Sequence, residues 1–390
     1  MRPKICIVTT VSLSIKLFYP DQIRALQNAG FDVTVLCASD PELSALLPEG
    51  VRYLSVDFTR SMNPWKDLKC LLQLWGIFRR ERFAILQYST PKASLLGAIA
   101  AWLARCPIRI YILWGLYYIG AAGFNRWLLK TFEKIICRIS THIVPISHDM
   151  IGFLESEGLA QRRKCQVMMQ GSACGIDLDH VDPQKWSSQR YKVRDQYQIP
   201  KDAVVIGTVA RLTGDKGINE LVQAFDTISQ TSSNAYLVLV GDQELKARLQ
   251  PATEHIIAHN ARIRAVGWQN NPLPFYAAMD IFCLPTYREG FGEVNLEAQA
   301  MELPVVSTDT IGPRESVQNG TTGFLVEVRN SEAILKPLQT LIAEPDLRIR
   351  MGKAGRQRVR DQFDRKDMVR AVIEHRQSLI RAAPCTQSNS

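Results

Sequence analysis

The feature that most constrains the fold of this 390-residue chain is a rhythm of short apolar runs alternating with longer amphipathic ones. Runs such as ICIVTT, DVTVLC, ILQY and RIYIL have the length of buried strands. The amphipathic segments of the first half are Asp21 to Gly30, Trp65 to Arg80, Lys92 to Ala104 and Asn125 to Ile139. Strands that alternate with helices of this length predict parallel βαβ units.

The rhythm stops at Met169 to Ala203, where Gly, Ser, Asp and Pro replace periodic apolar residues, and restarts with AVVIGTVA. We therefore predict an α/β fold of two doubly wound, Rossmann-like domains that face each other across a cleft, with the ligand at the carboxyl ends of the strands. The expected divisions are an N-terminal domain over residues 1–170, a linker over 171–202, a C-terminal domain over 203–363, a closing helix over 364–380 and a disordered tail over 381–390.

The whole net positive charge of the chain, +9, comes from its first half. Residues 1–170 hold 21 Lys and Arg against 12 Asp and Glu, whereas residues 171–390 hold 26 of each. A basic face suits an anionic substrate, nucleic acid or an anionic membrane surface, but no nucleic-acid recognition motif occurs. The nine scattered cysteines, with no CxxC, indicate reduced thiols in a cytosolic protein. The start of the chain lacks the pattern of a secretion signal.

One candidate motif is VARLTGDKGINELVQAF, which places Arg211 and Lys216 on a Gly-containing loop between a strand and a helix start. Both cations can then meet one diphosphate near a helix N-terminus, whose free N–H groups also favour an anion. Alone, this pattern is a weak signal, because incidental charges are common on surface loops.

A second motif, YREGFGEVNLEAQAMELPVVSTD, follows the apolar strand IFCLP. Gly290 and Gly292 discourage a helix between Glu289 and Glu297, so we expect Glu289 in the loop and Glu297 one to two turns into the next helix. Glu289 would then reach a transferred sugar and Glu297 a donor ribose. Backbone N–H groups of Gly290, Phe291, Gly292 and Glu293 would approach the sugar and phosphate.

The order strand, RxxxxKG, helix, strand and EGFGxxxxEA resembles family 4 retaining glycosyltransferases of the GT-B fold. TPKASLLGAIAAWLA, RIYILWGLYY, GSACGID and NGTTGFLV are similar to segments of the capsule, O-antigen and lipid-linked oligosaccharide transferases. The resemblance covers nearly the whole chain. It implies a nucleotide-diphosphate sugar as donor, with UDP the expected nucleotide, and a hexose or N-acetylhexosamine as the transferred group. A polyprenyl-diphosphate-linked saccharide is the implied acceptor.

The resemblance also implies the roles of individual residues. Arg211 and Lys216 would stabilise the leaving diphosphate, Glu297 would bind the ribose and Glu289 would lie near the reacting sugar. The implied chemistry retains the anomeric configuration and uses neither a metal ion nor a cofactor.

The chain departs from the family pattern in two places. The loop after the first strand reads TTVSLSIKLF, where relatives often have a Gly-rich loop. Where many relatives have His before a Gly at a strand end, this chain has Trp114 before Gly115. Trp114 is therefore a candidate substrate contact, and it indicates either an altered sugar pocket or weakened catalysis. Two alternatives to transfer remain open. One is a sugar-nucleotide epimerase of GT-B type, which would keep the fold but change the chemistry; the other, motivated by Trp114, is a catalytically silent partner protein in polysaccharide assembly.

Other chemistry-bearing residues have simpler interpretations. Asp177 and Asp179 form a DxD pattern in a turn, where capping a helix is the ordinary role. His142 and His148 lack partners at metal-ligand spacing.

Two stretches, Trp65 to Arg82 and Tyr117 to Arg138, mix aromatic and basic side chains as a membrane-surface helix does. We expect a peripheral protein on the cytoplasmic face of the inner membrane.

Overall fold

The computed structural model describes residues 2–59, 63–244 and 248–382. The chain forms two compact units. The first comprises the chain through Cys174 and again from Lys366 onward, and the second is Gly175–Arg365. Each unit is built on one six-stranded parallel sheet. The prediction of two doubly wound α/β sheets is confirmed.

The first sheet has the strand order β3-β2-β1-β4-β5-β6. Its strands are β1 (Lys4–Val8), β2 (Asp32–Cys37), β3 (Arg52–Ser55), β4 (Ile85–Tyr88), β5 (Ile108–Leu113) and β6 (His142–Pro145). The helices of this unit are α1 (Ser12–Phe18), α2 (Pro20–Asn28), α3 (Leu43–Leu46), α4 (Pro64–Glu81), α5 (Pro91–Leu103), α6 (Gly123–Ile139), α7 (His148–Ser156) and, from the end of the chain, α16 (Arg365–Ala382).

The second sheet has the order β12-β11-β10-β7-β8-β9. Its strands are β7 (Val204–Val209), β8 (Ala235–Val240), β9 (Ile263–Gly267), β10 (Ile281–Leu284), β11 (Val305–Thr308) and β12 (Gly323–Val326). Its helices are α8 (Pro183–Gln196), α9 (Ile218–Thr231), α10 (Pro251–His259), α11 (Leu273–Ala278), α12 (Glu293–Ala300), α13 (Pro313–Ser316), α14 (Ser331–Ala343) and α15 (Pro345–Gln362).

The stretch 171–202, expected to be a linker, holds helix α8 of the second unit. Asp182 caps its start by accepting a hydrogen bond from the N–H of Gln184, at 3.1 Å. Arg194 holds it from inside: its fully buried guanidinium donates to the carbonyl of Ala278 and to the carboxylate of Asp280. Arg190 of the same helix also binds Asp280, at 2.6 Å. Because two arginines, rather than an apolar stripe, anchor α8, periodicity does not reveal it.

The closing helix α16 packs on the core of the first unit. Met368 is buried in that core, and Val372, Ile373, Leu379 and Ile380 pack against it. Residues 381 and 382, expected in a disordered tail, form the end of this helix, and residues 383–390 lie outside the described residues. Throughout the described ranges, every helix is too short or too polar to cross a membrane.

Candidate active site

The reversal of strand order in the second sheet places two loops side by side. Strands β10 and β7 are neighbours at the centre of the sheet, and the chain proceeds outward from them in both directions. The loop after β7 carries Arg211 and Lys216, and the loop after β10 carries Glu289. Open α/β sheets bind ligands outside the carboxyl ends of their strands at such a switch point. The two motifs identified in the sequence therefore meet at the edge where a ligand is expected.

The first loop ends in a turn that only glycine fits. A short turn, Gly214–Lys216, leads to Gly217, which has a φ of 70° and directly precedes α9. A Cβ added to Gly217 would lie 2.0 Å from the carbonyl oxygen of Pro285, at the start of the second loop. The two backbones thus approach more closely than any side chain allows. This contact sets the first N–H groups of α9, with their partial positive charge, at the same edge as Lys216.

Hydrogen bonds accepted by one residue, Asp215, join the two loops. The carbonyl oxygen of Asp215 accepts from the N–H of Tyr287, at 2.8 Å, and from Oγ1 of Thr286, at 3.2 Å. Its carboxylate also pairs with Arg288, with 3.3 Å between Oδ2 and Nη2. The first loop therefore positions the second one, and a ligand that contacts both would meet a preformed edge.

The structure brings Lys216 and Glu289 into direct contact, with Nζ of the lysine donating to Oε1 of the carboxylate. Both side chains are partly buried. Arg211 lies on the same loop but pairs with Glu244, at 2.9 Å, and about half of its side chain is exposed. The two cations that the sequence assigned to one diphosphate are thus held by different carboxylates, Lys216 firmly and Arg211 at the surface.

Glu297 lies in the second turn of α12, as expected from the sequence. Its Oε2 accepts a hydrogen bond of 2.9 Å from the hydroxyl of Tyr276, a fully buried residue of α11. Burial raises the pKa of Glu297 to about 7, and Glu293 adds to the rise, whereas the Tyr276 hydrogen bond and Arg365 oppose it. A ligand that donates hydrogen bonds to this carboxylate would favour its charged form.

The segment Gly290–Glu293 would contact a ligand through its main-chain groups rather than through its side chains. Phe291 is 1% exposed and packs on Phe363, with ring centroids 5.5 Å apart, so only its main chain can face a ligand. Gly292 has a φ of 96° and precedes the first residue of α12, Glu293. Partial positive charge at the start of α12 therefore accompanies that of α9 at this edge.

Sequence reasoning missed three residues that shape the site. Besides Asp215 and Tyr276, Gly312 lies against the second loop, where an added Cβ would be 2.8 Å from the carbonyl carbon of Gly290. Gly312 follows β11, the strand next to β10, and has a φ of 90°. The sequence did offer a signal for Gly312: it is a glycine shortly after a strand, β11, that lies beside β10, and β10 leads into the second motif. Tyr276 offered none, because its partner lies 21 residues away.

Trp114 belongs to the first unit, directly after β5. Its indole packs on Phe18, with ring centroids 4.7 Å apart, and on Tyr19, at 5.9 Å. It is partly buried against the core of that unit. Trp114 therefore has a packing role in the first unit, whether or not it also contacts a ligand.

The residues set aside as structural have local partners. Oδ1 of Asp177 accepts hydrogen bonds from the N–H groups of Asp179 and His180, which makes the DxD pattern a capped turn. Nδ1 of His142 lies 2.9 Å from Oγ1 of Thr141. Within the part of the chain that the structure describes, no group of three or more His, Cys, Asp or Glu is arranged to hold a metal ion.

Comparison with known protein families identifies both halves of the chain. Residues 189–358 match the family described as Glycosyl transferases group 1, and residues 20–168 match the Glycosyl transferase 4-like domain. The capsular polysaccharide biosynthesis glycosyltransferase CapM of Staphylococcus aureus is 34% identical over 361 residues, covering 92% of this chain and 93% of its own.

More distant relatives cover most of the chain. A UDP-Gal:alpha-D-GlcNAc-diphosphoundecaprenol alpha-1,3-galactosyltransferase of Escherichia coli is 24% identical and spans 88% of both chains. Among solved structures, that of Anabaena HepE in complex with UDP superposes with a TM-score of 0.77 at 19% identity, over 96% of this chain and 100% of that one. The GT-B fold expected from the sequence is confirmed by this likeness.

Proposed function

The chain belongs to the group 1 glycosyltransferases, and from that premise we propose that it moves a hexose or N-acetylhexosamine from a UDP-sugar to a polyprenyl-diphosphate-linked saccharide, with retention of anomeric configuration. The product would enter the synthesis of a surface polysaccharide or glycan. One observation carries the donor half of the proposal: two joined loops at a switch point hold Lys216 against Glu289, beside the starts of α9 and α12.

A nucleotide diphosphate fits the charges at this edge. Lys216 and Arg211 would neutralise the diphosphate, with Arg211 exchanging its contact with Glu244 for one with phosphate oxygens. The ribose hydroxyls would donate to Glu297, whose other partner is the hydroxyl of Tyr276. Glu289 would then lie near the sugar. Because side chains and helix starts supply the positive charge, we propose that neither a metal ion nor a cofactor takes part.

The proposed reaction breaks the bond between the anomeric carbon and the diphosphate oxygen. The acceptor hydroxyl oxygen forms the new bond on the same face of the sugar, and its proton passes to the departing phosphate oxygen. The leaving nucleoside diphosphate carries away the electron pair of the broken bond. Lys216 and Arg211 stabilise the charge that develops on it, which is the main way this site would accelerate transfer.

A lipid-linked acceptor is proposed from the relatives. The Escherichia coli relative acts on a diphosphoundecaprenol-linked GlcNAc, and a Campylobacter jejuni relative, 23% identical over 343 residues, is a diacetylbacillosaminyl-diphospho-undecaprenol N-acetylgalactosaminyltransferase. The basic balance of the first half of the chain suits such a diphosphate-bearing acceptor and the anionic membrane in which it lies.

Helix α6 offers the surface that would meet the membrane. Phe124 and Trp127 are 71% and 61% exposed, and their rings stack with centroids 5.6 Å apart. Lys134 and Arg138 lie on the same face of the helix and are exposed, whereas Glu133 on the opposite face is buried. Aromatic rings flanked by cations suit an anionic lipid interface. We therefore propose peripheral binding to the cytoplasmic face of the membrane.

The test is to incubate the full chain with a panel of radiolabelled nucleotide sugars, with and without bacterial lipid extract, and to follow label in both phases. Transfer predicts label in the lipid phase with one donor, only when extract is present. An epimerised nucleotide sugar would support the rival activity of a GT-B epimerase. If the protein neither binds a donor nor forms a product with any extract, the proposal fails and a silent partner protein remains.

A further inference from the structure

Helix α16 buries an arginine that has no carboxylate partner. Arg376 is 1% exposed, and its Nε and Nη2 both donate to Oε1 of Gln87 on β4, at 3.1 and 2.7 Å. Its Nη1 contacts Nδ1 of His375. Across the described ranges, Arg376 forms no ion pair with an Asp or Glu. Burial lowers the pKa of Arg376 to about 10, which still leaves it charged at neutral pH.

Among the described residues, one other arginine, Arg194, is fully buried, and its contacts show what Arg376 lacks. The guanidinium of Arg194 is equally inaccessible, but its Nη2 lies 2.8 Å from Oδ2 of Asp280, and carbonyl oxygens accept its remaining donors. A buried cation without a counter-charge is expensive, because it has lost its water without gaining an opposite charge. His375 supplies no negative charge, since burial and the charge of Arg376 lower its pKa to about 3 and keep it neutral.

A cavity lies beside this unbalanced charge. Arg376 and Gln87 both line it, together with Tyr19, Gln22 and Ile146, and it has about 30 Å³ of space for the centres of water-sized molecules. A single water needs about 10–15 Å³ by that measure, so the cavity has room for two waters or one small ion.

The amide of Gln87 points an unused donor away from Arg376. A guanidinium can only donate, so Oε1 must face it, and this orientation is not interchangeable with the flipped amide. Gln87 is 1% exposed, and its Nε2 has no acceptor within 3.5 Å; the hydroxyl of Tyr19, in the same cavity wall, is the protein group that this amide interacts with. A cation and a buried unpaired N–H group thus line one small cavity, and both require an acceptor or a negative charge.

We propose that this cavity binds one monovalent anion of about the size of chloride, held by Arg376 and by Nε2 of Gln87. The anion neutralises Arg376 as Asp280 neutralises Arg194, and it thereby stabilises the packing of α16 against β4. This site is separate from the loops proposed to bind the donor, and its test does not depend on transferase activity.

The first test follows thermal unfolding of the full chain at constant ionic strength while chloride replaces gluconate, an anion too large for the cavity. Above the Kd of the site, each tenfold rise in chloride should raise the midpoint temperature by roughly 2–3 °C. Gln87→Glu places a carboxylate beside Arg376, so this variant should lose the chloride response and should match or exceed the wild-type midpoint in gluconate. Arg370→Gln, on the exposed side of the same helix, should keep the response.

The second test uses the wild-type protein and so does not depend on any variant folding. Crystals grown with bromide in place of chloride should show an anomalous peak within about 3.5 Å of the Arg376 guanidinium. Water alone at this position overturns the proposal. Equal stabilisation by chloride and gluconate overturns it too, as does an unchanged chloride response in Gln87→Glu.

Discussion

Single residues of the candidate site differ in how firmly the fold holds them. Lys216 is 13% exposed and Arg211 is 49% exposed, and each has a carboxylate partner of its own. Glu297 is held by a buried hydroxyl and Glu289 by a lysine. The residues assigned to the phosphate and to the ribose are therefore positioned before a ligand arrives, except for Arg211, which must exchange partners.

Removing either phosphate-binding cation should slow transfer. Lys216→Ala and Arg211→Ala are each expected to lower kcat by about 10² to 10³, because a charge facing the departing diphosphate is lost. Steady-state kinetics with the donor identified by the panel would measure this. Lys353→Ala, an exposed lysine of α15, should stay near wild-type activity. A decrease below threefold for Lys216→Ala would argue against its proposed role.

A buried carboxyl on α6 should make stability depend on pH. Glu133 accepts a hydrogen bond from Tyr111, and burial raises its pKa from the ordinary 4.5 to about 7. The folded state therefore holds this proton to higher pH than the unfolded state, so the stability it contributes is complete below about pH 4.5 and is lost as the pH rises to 7.

Glu133→Gln removes that titration. The variant should match the wild type near pH 4.5 and should be more stable above pH 7, by up to about 3 kcal/mol. Urea unfolding at pH 5 and pH 8 would measure the difference, and Glu297, which titrates in both proteins, cancels in the comparison. If the wild type and Glu133→Gln had equal free energies of unfolding at pH 8, ionisation of Glu133 in the folded state would cost little stability, contrary to this prediction.

At the scale of elements, the site depends on how closely loops approach each other. Gly217 fits between the start of α9 and Pro285, and Gly312 fits against Gly290. The hydrogen bonds of Asp215 then fix the register of the two loops. Both helix starts point their partial charge at the edge of the sheet only because the glycines permit these contacts.

Gly217→Ala should separate the two loops. Its Cβ would collide with the carbonyl of Pro285 and would require a φ of 70°, so we expect a loss of about 1–3 kcal/mol in stability and at least tenfold weaker UDP binding. Gly214→Ala, in the same turn, meets only the side chain of Asn219 at 3.4 Å and is the matched control. Calorimetric titration with UDP would compare them, and equal affinities would contradict the close-packing argument.

At the scale of the whole molecule, the net positive charge and most of the exposed aromatic rings lie in the first half of the chain, and the proposed donor loops lie in the second. The sequence left two aromatic and basic helices as candidates for a membrane surface. On α4 only Cys70, Leu74 and Phe78 are buried, and Trp65 is 83% exposed near its start. Helix α4 also exposes Leu68 and Leu72, and Arg79 lies 5.5 Å from the centroid of the Trp75 ring. We propose α6 as the membrane surface because its two exposed rings stack on each other beside cations.

A double substitution on α6 should release the protein from membranes. Phe124→Ser with Trp127→Ser is expected to reduce sedimentation with anionic lipid vesicles at least fivefold, whereas Trp65→Ser on α4 should have little effect. Binding of the wild type should also weaken as salt rises from 0.05 to about 0.5 M, because the cationic contribution is screened. Wild-type protein that fails to sediment even at low salt would exclude this surface.

Local pattern was enough to predict most of the fold. The alternation of strands and helices specified two doubly wound sheets, and the loops after β7 and β10 carried the motifs that meet at the switch point. These features follow from periodicity and chain order, because the carboxyl ends of parallel strands share one edge. The assigned roles of Arg211, Lys216, Glu289 and Glu297 remain predictions.

Only the tertiary structure decided which distant residues complete these features. Tyr276 beneath Glu297, Gly312 against Gly290 and Arg194 inside α8 are contacts between segments far apart in sequence. Gln87 and Arg376, 289 residues apart, meet only because α16 returns to the first unit. Periodicity indicates which face of an element is buried, but it does not identify the partner of a buried polar group, because folding chooses that partner by packing rather than by distance along the chain.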